Sequence, residues 1–255
     1  MRVSHAGPAL SLAFDDPNLV SCAGLAPALL LAQRCGLHEL VADTVTLKAK
    51  GGVNAPVKVC SLVGGMVAGA DSIDDMDLLR HGGMSRLFEE VRAPSTLGTF
   101  LRSFTFGHVR QLDAVAARLL ARLARVCPLL PGADQVAYVD LDDTVRQVHG
   151  YAKQGVGFGY SGVKGLNALI ATVSTPLSAP VIAATRLRKG SVNSARGAAR
   201  LVSDALVTAR AAGAGGRDGA AGRDGAGLVL LRADSARSWS ACGPRTVENG
   251  RNELD

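Results

Sequence analysis

The chain has 255 residues, 47% of them hydrophobic, which is enough for one large domain or two small ones. No uninterrupted apolar run is long enough for a membrane span, and Arg2 is not followed by a hydrophobic leader and cleavage site, so neither insertion nor secretion is expected. The net charge of +6 is local: residues 1–150 hold 14 Lys/Arg and 15 Asp/Glu, whereas 151–210 hold eight basic residues and one acid, Asp204.

Taken in chain order, residues 20–125 read as helical. Leu25 to Leu31 opens an apolar helix that runs toward Cys35 and ends near Gly36. Val57 to Ala70 is a second. Ser72-Ile-Asp-Asp75, a Ser followed three residues later by an acid, has the form of a capping segment before a short helix that breaks at Gly82-Gly83. Pro94 starts another helix, and Leu112 to Val126 is amphipathic, with arginines at 118, 122 and 125. Such a region can be a plain bundle or can place one helix on DNA.

Pro128 to Asp134 is a linker, and after it the period changes to that of strands. Gln135 to Val145 is the first strand. The glycines at 155, 157, 159, 162 and 165 match no phosphate-binding loop and read as turns and close strand approaches. Leu166 to Val173 and Val181 to Leu187 are further strands, and Ser194 to Ala212 is a helix with Leu201, Val202 and Ala205 inward. A loop follows, with the near-repeat Gly216-Arg-Asp-Gly-Ala220 and Gly222-Arg-Asp-Gly-Ala226. Leu228 to Arg232 is then a last strand. The order β-β-β-α-β is satisfied by three antiparallel strands, one crossover helix and a parallel strand beside the first. The predicted class is therefore α/β.

The first strand carries the chemistry. Asp140, Asp142 and Asp143 sit in Ala137-Tyr-Val-Asp-Leu-Asp-Asp-Thr144, and acids in a hydrophobic strand need a partner or a cation. Alternation puts Asp140 and Asp142 on one face and Asp143 on the other, with Ala137, Val139 and Leu141. The returning strand would bring Asp234 toward Asp142. Oxygen ligands of this kind suit Mg²⁺ or Mn²⁺, which activate water and stabilise phosphoryl transition states. Turn formation and plain solvation compete with metal ligation for the same acids. Lys164, Arg186, Arg188 and Lys189 are candidate phosphate contacts, against the alternative of a solvated basic face. The five cysteines are scattered, with neither zinc spacing nor a disulfide framework, as in a cytoplasmic protein.

Five segments together carry a resemblance: Asp140-Leu-Asp-Asp-Thr144, His149-Gly150, Gly159-Tyr-Ser-Gly-Val-Lys-Gly165, Arg186-Leu-Arg-Lys-Gly-Ser-Val-Asn193 and Leu231-Arg-Ala-Asp-Ser235. In order and spacing they resemble the DDE transposases of bacterial insertion sequences, over residues 10–236. The resemblance implies a ribonuclease-H-like catalytic core at 128–236 and a helical region at 1–127 that binds the element's terminal inverted repeats. It also implies a bacterial, nucleoid-associated protein, possible homo-oligomers, and Mg²⁺ or Mn²⁺ held by Asp142 and Asp234, with Asp140 a possible further ligand. The implied reaction is metal-dependent DNA nicking and strand transfer into target DNA. The stretch after Ala236 departs from the family pattern. It has no periodicity, and Glu248 and Glu253 are its only glutamates. Residues 237–255 are expected to be a disordered tail, and the chain to be a truncated or frameshifted copy that cuts poorly. Two alternatives remain: a DNA-binding regulatory fragment without catalysis, and an aspartate-nucleophile phosphohydrolase of haloacid-dehalogenase type.

Overall fold

The structure, a computed structural model, describes residues 16–47, 50–149, 153–159, 161–215 and 228–233, with Lys50 and 228–233 described through their backbone alone. Six α-helices run in chain order: α1 (Leu25–Arg34), α2 (Leu37–Thr44), α3 (Ala55–Val67), α4 (Pro94–Arg102), α5 (Phe106–Val126) and α6 (Ala198–Ala211). Five strands complete the fold: β1 (Val136–Gln147), β2 (Gly157–Phe158), β3 (Lys164–Thr175), β4 (Ser178–Arg188) and β5 (Leu228–Ala233). The class is α/β, as expected. Among the described residues no helix is long and apolar enough to cross a membrane. Cys22, Cys35, Cys60 and Cys127 are free thiols.

The chain divides into two compact units, one built from residues up to Arg34 together with Thr46–Phe104, the other from Cys35–Val45 together with the chain from Thr105 onward. In the first, Leu25, Leu79 and Met84 form a buried cluster with Leu29 and Phe88 packed against it. Leu97 and Phe100 of α4 are fully buried. The capping segment forms as read. The backbone N–H and hydroxyl of Ser72 both donate to Asp75 Oδ2, at 2.9 and 2.7 Å, and start the 3₁₀ turn Asp74–Leu79. These bonds hold the Asp75 carboxyl below its usual range.

The boundary between units falls at Phe104/Thr105, not at the change of pattern near residue 128. Helix α5 belongs with the sheet because its polar residues are spoken for there: Asp113 accepts the Thr185 hydroxyl of β4 at 2.8 Å, and Arg110 reaches Asp204 of α6 at 3.4 Å. Helix α2 joins the same unit, because Arg118 donates to Thr44 and Arg122 donates to the carbonyls of Cys35 and Gly36.

The sheet is ordered β2-β3-β1-β5, with β4 also paired to β3. Strand β1 is antiparallel to β3 and parallel to β5, and β3 is antiparallel to β4. The predicted β-β-β-α-β order is observed, with β2 as a two-residue addition. One face is apolar: Ala137, Val139, Leu141, Leu169, Ala171 and Val173 are buried against Leu201, Ala205 and Ala209 of α6. Helix α6 begins at Ala198 rather than Ser194. Gly197 is in the left-handed region (φ 82), and the carbonyls just before it turn toward Arg188 instead of propagating a helix.

The glycine-rich stretch does what its composition suggested. Gly190, after β4, crosses Gly157 and Gly165 so closely that a Cβ there would lie 2.5 Å from the Gly157 carbonyl oxygen and closer still to that of Gly165. Both obstacles are backbone, so neither can rotate away. We expect Gly190→Ala to cost about 2 kcal/mol or more in chemical denaturation, as for other overpacked sites. Gly107→Ala, in α5 with open space around its Cβ position, should be neutral or slightly stabilising.

Candidate active site

Strand alternation sorts the three aspartates of β1. Ala137, Val139 and Leu141 are buried against α6, and Asp143 follows them onto that face. Tyr138, Asp140, Asp142 and Thr144 point to the opposite face, where Asp142 is exposed and Asp140 partly buried. In the antiparallel register Asp140 stands beside Thr172 of β3 and Asp142 beside Ile170. The two acids are about 7 Å apart along the strand, by the rise of two extended residues. On the other side of β1, Asp140 is in register with Arg232 and Leu141 with Ala233. Asp234, the second expected acid, lies outside the described residues, as do Gly150, Tyr160, Glu248 and Glu253.

Asp143 has a different occupation. Its carboxylate lies 3.4 Å from Arg188 Nη2, with the two side chains only 5% and 6% exposed. Asn167, a buried residue on the core face of β3, donates to the same carboxylate at 3.3 Å and accepts from Arg188 Nε at 2.8 Å. The remaining guanidinium donors go to backbone carbonyls: Arg188 Nη1 reaches those of Asn193, Ser194 and Arg196 at 3.2, 3.0 and 2.7 Å. Burial pushes the Arg188 pKa below its ordinary value, and the Asp143 charge opposes that shift. Arg188, expected as a phosphate contact, therefore spends its donors on the protein itself.

The other candidate cations divide in the same way. Arg186 is ion-paired to Asp204 at 3.1 Å, and Asp204 also receives Arg200 at 3.2 Å and Arg110 at 3.4 Å. The one acid of the 151–210 stretch thus gathers three arginines. Lys189 is exposed, Lys164 partly buried, and His149 exposed beyond the end of β1. Part of the basic excess is tied up in these pairs, and Lys153, Lys189, Arg196, Arg200 and Arg210 are exposed.

Among the described residues no group of three or more His, Cys, Asp or Glu is placed to hold a metal ion. Asp140 and Asp142 supply two oxygen-donor side chains on one face, the donor type that Mg²⁺ prefers. The antiparallel pairing of β1 with β3 is at odds with the Rossmann-like sheet that an aspartate-nucleophile phosphohydrolase needs. The Asp143–Asn167–Arg188 cluster escaped the sequence reading. Its signal was Asn167, a polar residue on the apolar period of β3, between Gly165 and Leu169.

No family model, curated protein or solved structure matches the chain.

The two aspartates predict opposite behaviour. Arg188→Ala or Asp143→Ala breaks a buried pair and should cost about 3–5 kcal/mol by chemical denaturation, while Asp143→Leu with Arg188→Met should recover much of it. Asp142→Ala, at an exposed position, should stay within about 0.5 kcal/mol of the parent.

Proposed function

We propose that this chain is a DNA-processing protein of the DDE transposase type, with a ribonuclease-H-like sheet and Asp142 as its first catalytic carboxylate. The observation that carries the reading is the setting of Asp142. It is exposed on the sheet face away from α6, on a strand flanked by an antiparallel and a parallel neighbour. The last register pair between β1 and β5 is Leu141 with Ala233. The resemblance implies Asp234, the next residue in the chain, as the second acid. The strand sequence β4-β3-β1-β5, with α6 as the crossover, also suits a ribonuclease-H-like core.

In this reading Asp142 and Asp234, with Asp140 at hand, hold Mg²⁺ or Mn²⁺. The ion, when bound, supplies charge stabilisation to a phosphoryl transition state and a more acidic water. The protein contributes an oxygen-donor set held on a strand rather than on a loop. Alternation puts Asp143 on the other face, where the buried pair with Arg188 occupies it. Lys189, exposed just after β4, would meet DNA phosphates beside the sheet.

The test is nicking of duplex DNA carrying an inverted-repeat end, with Mg²⁺ or Mn²⁺, by the full chain and its Asp142→Ala and Asp234→Ala variants. Cleavage by the full chain is expected to be weak and metal-dependent, and to be lost in both variants, in line with the removal of groups that stabilise developing charge. Duplex binding that is equal in all three proteins, without cleavage in any, would replace this reading with that of a DNA-binding fragment without catalysis.

A further inference from the structure

Lys58 lies in the first turns of α3 and is only 7% exposed. Its ammonium donates to the Gly51 carbonyl at 2.7 Å and stands 5.4 Å above the ring of Phe100. None of the described carboxylates is ion-paired with it. The charge that acts on it is a second cation, Arg92, which is anchored on the same helix face: its backbone N–H donates to Ser61 Oγ at 3.3 Å, one turn from Lys58. Burial first, and Arg92 second, push the Lys58 pKa below its ordinary value. Arg92 has one distant carboxylate neighbour, Glu90 at 4.0 Å, and its Nε is buried without a hydrogen-bond partner among the described residues.

These observations share one explanation. A buried ammonium without a carboxylate is costly, and so is a buried N–H without an acceptor. The helix N-terminus adds positive potential of the same sign. Lys58, Arg92 and the start of α3 thus bring positive potential to one side of the helix, and the Arg92 side chain is 32% exposed. A group that meets them must be an anion with several acceptor oxygens. We propose that Lys58 and Arg92 form a phosphate-binding site that grips one phosphoryl group, carried by a DNA backbone or as free phosphate. The site's demand for an oxyanion stands by itself; the preference for a DNA phosphate rests on the function proposed above.

Calorimetric titration of the full chain in EDTA, with inorganic phosphate in one arm and a short duplex in the other, tests the site. Lys58→Met keeps the aliphatic stem over Phe100 and removes the charge; Arg92→Gln alters the solvent side and serves if the first variant fails to fold. Each should weaken phosphate binding by about tenfold or more, as expected for loss of a charge-assisted hydrogen bond. Relief of the buried charge should leave the Lys58→Met melting temperature unchanged or raised. Parallel loss of duplex affinity identifies a DNA phosphate as the ligand; loss confined to the phosphate arm identifies free phosphate. Wild-type affinity for phosphate and duplex in folded Lys58→Met or Arg92→Gln, or no phosphate binding by the parent, overturns the site. Without metal in either arm, a failure of nicking leaves this result standing, and failure here leaves the assignment of Asp142 untouched.

Discussion

The buried pair of Arg188 with Asp143 is the interaction on which the rest of the sheet unit depends. A guanidinium removed from water must find acceptors for all of its donors. Here they come from β1, β3 and the connection to α6 at once. The pair therefore does more than join two strands. It satisfies the charge of Asp143 on the face where alternation with Val139 and Leu141 places it, while Asp142 points outward. It also holds the carbonyls ahead of Gly197 away from helical bonding, so α6 starts where its apolar residues meet Val139 and Ala171.

A second ionic node, Asp204, takes up part of the charge of the basic stretch. Arg110, Arg186 and Arg200 converge on this one carboxylate, and Asp113 shares Arg110 while bonding Thr185. The node draws α5, α6 and β4 together. A long helix with a sparsely buried face is held here by charge as well as by the apolar contact of Leu120 with the core. Each pair is partly solvated, so the network's worth lies in geometry more than in energy. The helical unit presents the reverse case. There Lys58 is a buried cation with a carbonyl, and none of the described carboxylates, as its partner.

The fold was legible to a large degree, for reasons that can be named. Alternation in Ala137-Tyr-Val-Asp-Leu and the switch from period 3.6 to period 2 near residue 128 are local signals, and they placed β1, β3, β4 and α6 closely. The cap at Ser72 and the helix start at Pro94 are local too. The glycines around 155–165 announced close approach, though not that Gly190 is what approaches them. Unit boundaries were not legible, because α5 looks like any amphipathic helix until Asp113 and Arg110 find their partners.

What the sequence by itself determined is the class of the fold, the strand order, and which residues of β1 share a face. These follow from backbone periodicity and the handedness of crossovers, which need no distant partner. What only the tertiary structure decided is the fate of each charge. Asp142 and Asp143 are neighbours of identical chemistry, and Arg186 and Arg188 are likewise. In each pair one residue or both are consumed by contacts made to residues 18 to 45 positions away. A charge is defined by its solvent and its partners, and neither is set by local sequence.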